Sequence, residues 1–374
     1  MSGQRFYGQM SANGQHSEKS APRSSQRDRQ PKVLITGGAG FIGSNVAASL
    51  MASGQRVIVY DSLARPGVEE NLHWLQSNYS DQLEVELHDV RDAAELTRCI
   101  QHVDAVYHFA AQVAVTTSLL DPTFDFDVNV HGTVNVLEAC RQRSTPPRLL
   151  FTSTNKVYGS LADVPLRRTA GRYQPQQSTI LQYGISESRP LEFHSPYGCS
   201  KGAADQYVLD YARCYGVPTV VFRMSCIYGP RQCGTEDQGW VAHFVRATLR
   251  DEELVFYGDG CQVRDLLYVD DLVVAMRRAM QQIDQTAGRA FNVGGGPANT
   301  LSLRELVTIL TELHGAAPRV RTAPWREGDQ RYYVSDTRAI QRLLNWSPQV
   351  APPAGLARLY QWLQNNLPSV AAAN

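Results

Sequence analysis

Lys32-Val33-Leu34-Ile35-Thr36-Gly37-Gly38-Ala39-Gly40-Phe41-Ile42-Gly43 is the stretch that decides the fold. Lys32 to Thr36 reads as a short buried strand running into a glycine-rich turn, and a helix follows from about Phe41 to Ser53, stopped by Gly54. The next apolar run, Arg56 to Tyr60, is a second strand closed by Asp61. Without Cβ atoms, Gly37, Gly40 and Gly43 let the backbone turn tightly and let a pyrophosphate approach the amides of Phe41, Ile42 and Gly43. The positive end of the helix dipole favours its charge there. Asp61 stands about twenty residues on, where a carboxylate accepts hydrogen bonds from an adenosine ribose and repels a 2′-phosphate. This points to NAD, although Arg65 is close enough to receive a 2′-phosphate and keeps NADP open. A glycine turn that serves only packing is the bland alternative, and the strand before, the helix after and the acidic strand end weigh against it.

Outward from this unit, short apolar runs recur at Leu83 to Leu87, Ala105 to Phe109, Arg148 to Thr152 and Thr219 to Phe222. Helical periodicity separates them, as at Ala93 to Ile100, Val128 to Arg141 and Ala203 to Tyr215. Alternating strand and helix imply an α/β, Rossmann-type, doubly wound parallel sheet covered on both faces. Past Met224 the pattern loosens, with helices at about Val241 to Leu249, Asp271 to Gln281, Leu303 to Leu313 and Gly355 to Leu363 and few strands. The expected division is a disordered tail over 1–30, an NAD-binding domain over 31–223, and a smaller, mixed substrate-binding domain over 224–374, with parts of 263–293 returning to the first. The tail is rich in Ser, Gln, Gly and Arg; a basic docking arm is the other reading of it.

Composition removes several classes. The 36 basic and 36 acidic side chains cancel, so no overall field favours nucleic acid or an anionic membrane. No apolar run is long enough to span a bilayer, and the N-terminus lacks a signal-peptide core. Seven scattered cysteines without C-x-x-C pairing fit reduced thiols in the cytoplasm, not a disulfide framework or a metal site.

Tyr197 and Lys201, at i and i+4 in Pro196-Tyr197-Gly198-Cys199-Ser200-Lys201, project side by side from one helix. Ser195 suits its N-cap and Pro196 its first turn, so both groups lie near the positive end of the dipole. An adjacent ammonium and that dipole favour phenolate, which moves Tyr197 toward use as a proton acceptor. A tyrosine and lysine at this spacing also arise by chance on many helices. The strand from Arg148 runs into Phe151-Thr152-Ser153-Thr154-Asn155-Lys156-Val157-Tyr158-Gly159, which supplies a hydroxyl as third member.

Taken together, the Gly-x-x-Gly-x-x-Gly loop, His108-Phe109-Ala110-Ala111-Gln112, Asn129-Val130-His131-Gly132-Thr133 and the Tyr-x-x-x-Lys helix resemble the extended short-chain dehydrogenase/reductase family, in its nucleotide-sugar epimerase branch. That resemblance implies an NAD-dependent isomerase with Thr154, Tyr197 and Lys201 as catalytic residues, and Lys201 also on the nicotinamide ribose. It implies cofactor contacts at Asp89 and Val90 for the adenine, and at Ala110, Gln112 and Asn129. Dehydratases of the family carry an Asp-Glu pair after the catalytic threonine; here stand Asn155 and Lys156, and an amide cannot transfer protons as a carboxylic acid does. The runs Thr152 to Gly159, Phe193 to Tyr207, Asp237 to Val241 and Asp329-Gln330-Arg331 narrow the resemblance to a subgroup that inverts C2 of a CDP-linked 3,6-dideoxyhexose by transient oxidation and hydride return to the opposite face. The sugar pocket is expected to differ from that of 4-epimerases, which offer an asparagine where this chain has Ser225-Cys226; ordinary packing variation is the alternative. Asn155, Lys156, Gln232, Arg264 and Arg326 are the candidate substrate-binding residues, the arginines as diphosphate grips. Either arginine alternatively forms a structural ion pair. The resemblance also implies a homodimer or homotetramer. Two other readings stay open: a 4-epimerase or other redox enzyme on a UDP- or dTDP-sugar, and a non-catalytic NAD-binding regulator.

Overall fold

The computed structural model describes residues 31–326 and 328–366; the expectation for the 1–30 tail lies outside them. Seven strands form one parallel sheet: β1 (Lys32–Thr36), β2 (Arg56–Tyr60), β3 (Leu83–Glu86), β4 (Ala105–His108), β5 (Arg148–Thr154), β6 (Thr219–Met224) and β7 (Arg289–Val293). Their order across the sheet is β7-β6-β5-β4-β1-β2-β3. Its order reverses beside β1, the point at which open α/β sheets bind ligands beyond their strand C-termini.

Alternation along β1 shows why both faces are covered. Val33 and Ile35 enter a core with Val46, Ala47 and Leu50 of helix α1 (Phe41–Met51), joined by Leu272 and Met276. Leu34, between them, enters the opposite core with Leu96, Val136, Leu137, Ala204 and Val208. Period-two side-chain alternation thus feeds two helical layers from one strand. A third core, with Phe244, Leu254, Phe256, Leu266, Leu306 and Leu359, belongs to the C-terminal region.

That region holds more strands than its composition suggested. Past Met224 lie Cys226–Tyr228, Leu254–Tyr257, Val263–Tyr268, Thr300–Ser302, Val320–Ala323 and Tyr332–Tyr333 as well as β7. Most are two to four residues long, too short for any periodicity to register. Val263–Tyr268 is the hub, parallel to Cys226–Tyr228 and Tyr332–Tyr333 and antiparallel to Thr300–Ser302. β7 pairs in parallel with β6 at the edge of the main sheet.

The helix carrying Tyr197, α2, spans Ser195–Tyr215, beginning at the Ser195-Pro196 pair that marked its start in the sequence and eight residues before the periodic stretch at Ala203. Gly198 and Gly202 blur the apolar period there, and a Cβ on Gly202 would lie 2.3 Å from the Phe193 ring, so that ring packs directly on the glycine. The stretch at Val128 opens as a π-helical turn, Asp127–His131, before becoming α-helical at Gly132. Such turns insert one extra residue and commonly mark functional positions. Among the described residues, no helix is long and apolar enough to cross a membrane.

Candidate active site

Sterics fix the glycine loop. Gly37 sits at φ 68, and a Cβ on it would lie 2.7 Å from the Ala110 amide nitrogen; a Cβ on Gly43 would lie 2.2 Å from the Gly37 carbonyl oxygen. Gly40 meets only that carbonyl, at 3.1 Å, and otherwise faces open space. Gly38, which the three-glycine spacing does not single out, is equally fixed, since a Cβ would stand 2.8 Å from the Ile35 carbonyl. No side chain caps the first turn of α1, so the amides of Phe41, Ile42 and Gly43 lie where a pyrophosphate can take them. Asp61 closes β2, with one carboxylate oxygen accepting the Ala39 N–H and the other the Leu63 N–H, both at 2.9 Å. Burial raises its pKa against those bonds. An uncapped helix start behind close-packed glycines, with a carboxylate at the next strand end, fits a dinucleotide. Arg65 does not reach out for a 2′-phosphate: it donates to the Cys233 carbonyl at 3.0 Å.

Farther along the strand ends, Asp89 is gripped by Arg91 at 2.9 and 2.8 Å, which holds its carboxyl below the usual range. Val90 packs onto Gly132, where a Cβ would intrude to 2.7 Å. Ala110 donates its N–H to Thr36 Oγ1 at 3.3 Å. Gln112 and Asn129 turn their side chains inward: Asn129 Oδ1 accepts the Gln112 N–H at 2.9 Å, and Asn129 Nδ2 donates to the Gln112 carbonyl at 3.1 Å.

The reacting groups meet at the C-terminal end of β5. Thr154 is buried there, its hydroxyl donating to Asn155 Oδ1 at 3.3 Å and accepting the Lys156 N–H at 3.2 Å, and it acts on the Tyr197 phenol by lowering its pKa. The first turn of α2 is anchored by Ser195, whose Oγ accepts the Gly198 N–H at 3.2 Å, and by Ser118, whose Oγ accepts the Tyr197 N–H at 3.1 Å. The N-cap position falls on His194, which makes no side-chain cap bond, and not on Ser195 as the sequence suggested; Ser195, the first helical residue, holds the Gly198 N–H from a left-handed φ of 64 that costs backbone energy. Lys201 is buried with its ammonium 4.2 Å from the Phe151 ring centroid. Electrostatics correct the sequence reading here. Burial pushes the Tyr197 phenol up to about 12, with the Thr154 bond opposing, and pushes Lys201 down to about 7, with Asp205 and Asp125 opposing. For Tyr197 loss of water dominates and the Asp125 charge adds to it, so the chain alone holds a phenol and not a phenolate.

The substrate-side candidates gather on the other bank. Asn155 donates to Gln330 at 3.1 Å, and Gln330 donates onward to the Gly159 carbonyl at 2.6 Å. Lys156 Nζ donates to the Gly328 carbonyl at 3.2 Å and stands 3.8 Å from Asp329. Burial lowers its pKa, and Asp329 opposes the shift. Arg264, itself buried, donates to the same Asp329 at 2.8 Å, so one carboxylate bridges both cations. Arg326 lies apart, stacked 3.7 Å over Tyr257 and paired with Asp237 at 3.1 Å. Gln232 donates to the Ile227 carbonyl at 3.1 Å, and its own carbonyl oxygen is buried without a hydrogen-bond partner. Cys226 accepts the Trp240 indole N–H at 3.3 Å and senses the charges of Arg264 and Lys156, which puts it among these residues. Asp125, on the far side of α2, went unread; its signal was the spacing Asp125-x-x-x-Asn129, a carboxylate and an amide on one helical face.

Strand order, glycine loop and acidic strand end define the class: a Rossmann-fold enzyme that works with a bound dinucleotide. The chain belongs to the NAD dependent epimerase/dehydratase family, whose model matches residues 33–294, and NAD is its cofactor. It is 43% identical to the CDP-paratose 2-epimerase of Salmonella typhi over 338 residues, 88% of this chain and 98% of that protein. It is 34% identical to the UDP-glucose 4-epimerase of Mycolicibacterium smegmatis, over 89% of this chain and 99% of the relative. Among solved structures, a double mutant of dTDP-glucose 4,6-dehydratase from Streptomyces venezuelae with NAD and DAU bound superposes with a TM-score of 0.77. That pair shares 33% identity over 89% of this chain and 97% of the other.

Proposed function

We propose that this enzyme inverts C2 of a CDP-linked 3,6-dideoxyhexose, converting CDP-paratose to CDP-tyvelose through a transient 2-keto sugar. The single observation that carries the reading is the site next to Thr154: an amide, Asn155, and a cation, Lys156, stand where a dehydratase needs two proton-transferring carboxyls. Similarity to a CDP-paratose 2-epimerase over nearly its whole length supports the choice of C2 and of the cytidine nucleotide.

NAD supplies, when bound, a two-electron hydride acceptor and donor. The chain's own residues do the rest. Gly37, Gly40, Phe41, Ile42 and Gly43 would receive the pyrophosphate and Asp61 the adenosine ribose, with Asp89, Val90, Ala110, Gln112 and Asn129 shaping the remaining wall. Tyr197, once ionised by loss of its own proton to solvent, takes the proton of the C2 hydroxyl and gives it back, and Thr154 would hold the sugar oxygen and the phenol in one hydrogen-bonded line. Lys201, as an ammonium, lowers the cost of the phenolate and holds the nicotinamide ribose. Asn155, Lys156 and Gln232 would contact the sugar and nucleotide, and Arg264 and Arg326 the diphosphate. Exposed Leu119, Leu120, Phe124, Phe126, Tyr207 and Tyr215 support a homodimer or homotetramer, checked by light scattering of the purified protein.

The decisive experiment incubates the purified enzyme with CDP-paratose, without added cofactor, and reads the C2 configuration by NMR. Epimerisation in deuterated water without deuterium at C2 is the expected result; heavy incorporation overturns hydride return, and conversion of UDP- or dTDP-sugars instead overturns the substrate.

A further inference from the structure

Asp125 lies on the short helix Pro122–Phe126, fully buried, and makes no ion pair among the described residues. Its Oδ1 accepts from Gln112 Nε2 at 2.8 Å and from Asn129 Nδ2 at 3.1 Å; its Oδ2 accepts from Ser200 Oγ. The orientation of each partner is fixed independently. Gln112 Oε1 is held by the Ala114 N–H at 2.6 Å, and Asn129 Oδ1 by the Gln112 N–H, so both amides must present hydrogens to Asp125. Ser200 Oγ accepts from Asn129 Nδ2 at 3.0 Å, which leaves its own hydrogen for the carboxylate. Asp125 therefore faces only donors, which favour an ionised carboxylate against burial, the larger influence, which raises its pKa.

Ser200 immediately precedes Lys201 and lies one turn after Tyr197, whose carbonyl it also approaches at 3.2 Å. The titratable groups around Lys201 are few. From β4 comes His108, buried between Thr36 and Thr133 and held neutral by burial, with its pKa near 3. From its own helix come Tyr197 and Asp205, and Asp205 already makes a two-pronged buried ion pair with Arg223 at 2.9 and 2.8 Å. β5 offers the Phe151 ring. Asp205 acts more strongly on Lys201 than Asp125 does, but its charge is matched by Arg223; that of Asp125 is not.

We propose that Asp125 is a positioning residue: its buried negative charge keeps the proton on Lys201, and its hydrogen bonds tie the first turn of α2 to the segment after β4. This deepens the assignment of Tyr197 and Lys201 as the reacting pair. An anion that must stay dry, without a counter-ion in contact, is expensive, and such groups are retained where their field is used.

The chain has only four lysines, Lys19, Lys32, Lys156 and Lys201, so lysine labelled with 13C at Cε gives at most four signals in the full-length, NAD-bound enzyme. Lys201→Met assigns the one of interest. The Lys201 signal titrates near 7 in the wild type, and in Asp125→Asn the midpoint falls by roughly one pH unit, a tenfold weaker hold on the proton, while Lys32 and Lys156 stay put. Ser200→Ala, which removes a hydrogen bond and keeps the charge, leaves the Lys201 midpoint near its wild-type value. Should Asp125→Asn not fold, as judged by circular dichroism, Asp125→Ser, which leaves room for a water among the same donors, carries the same test. A Lys201 midpoint unmoved by loss of the carboxylate overturns the proposal, as does a Ser200→Ala shift as large as that of Asp125→Asn. No turnover enters this readout, so an enzyme inactive on every sugar would defeat the proposed function and still leave Asp125 to be decided.

Discussion

The two banks of the site hold their charges in different ways. On the cofactor bank, the first amides of α1 have no side-chain cap and the glycines clear a path to them. On the substrate bank every cation already has a partner from the chain: Arg264 and Lys156 share Asp329, and Arg326 takes Asp237. A dinucleotide's pyrophosphate on the first bank meets amides that no side chain holds. A sugar diphosphate on the second must take its arginines away from carboxylates. The difference suits an enzyme that keeps one ligand through turnover and exchanges the other, and it teaches that tight and reversible sites can be built from similar donors by changing what those donors touch beforehand.

The largest expected effect tests whether the reacting pair belongs to the tight bank. Tyr197→Phe removes the only proton carrier between Thr154 and Lys201, and turnover of CDP-paratose should fall by roughly 10²- to 10⁴-fold. Bound NAD, quantified after denaturing the protein, should remain stoichiometric. Joint loss of activity and cofactor would erase the distinction between the banks.

Next in size is a stability effect with a defined sign. The folded pKa of Lys201 is about 7, below the unfolded value of about 10.4, so between these values the unfolded chain binds more protons and stability rises with pH. The penalty is fully present below pH 7 and gone above about 10.4. Lys201→Met removes it, and at neutral pH this inactive variant should be more stable than wild type by about 1–4 kcal/mol, with the gap closing as pH rises. Denaturant melts at pH 6, 7.5 and 9 check it; a gap that widens with pH refutes the sign.

Asp329→Asn acts on the other bank. With the shared carboxylate neutralised, Arg264 and Lys156 no longer compete between protein and phosphate, and CDP should bind roughly tenfold more tightly by calorimetry, with NAD content unchanged. Weaker CDP binding would mean that Asp329 orients the cations more than it occupies them.

The same asymmetry explains what could be read from the sequence. The cofactor bank is local: Gly37, Gly40, Gly43 and Asp61 lie within one strand-helix-strand unit, and sterics leave few residues able to stand there. Tyr197, Lys201 and Thr154 were legible for a similar reason, a fixed spacing on one helix and a strand end. Their acidities were not legible, because burial is set by Phe151, His108 and Asp125 from other elements. On the substrate bank the arginines were read as diphosphate grips or as structural ion pairs, without a carboxylate named for either. The carboxylates that answer them come from as far as 173 positions away along the chain, as with Lys156 and Asp329, and no periodicity reports such pairings. Short strands such as Cys226–Tyr228 and Tyr332–Tyr333 escaped for the same cause, since only partners distant in sequence make them strands.

Arg326 gives the finest test, because it differs from Arg264 within the same bank. Arg264 is enclosed and fastened to Asp329, whereas Arg326 is partly exposed and lies flat on Tyr257 at 3.7 Å, with Asp237 at its edge. A planar guanidinium keeps a face for the ring and an edge for two phosphate oxygens, a division of labour that an ammonium cannot reproduce. Arg326→Lys preserves the charge and loses the stacking and the second phosphate bond, worth about 1 kcal/mol at a site still reached by water. KM for CDP-paratose should rise roughly fivefold with kcat unchanged, since the interaction is made equally before and during the reaction. A fall in kcat with KM constant would place Arg326 at the reacting carbon and not at the diphosphate.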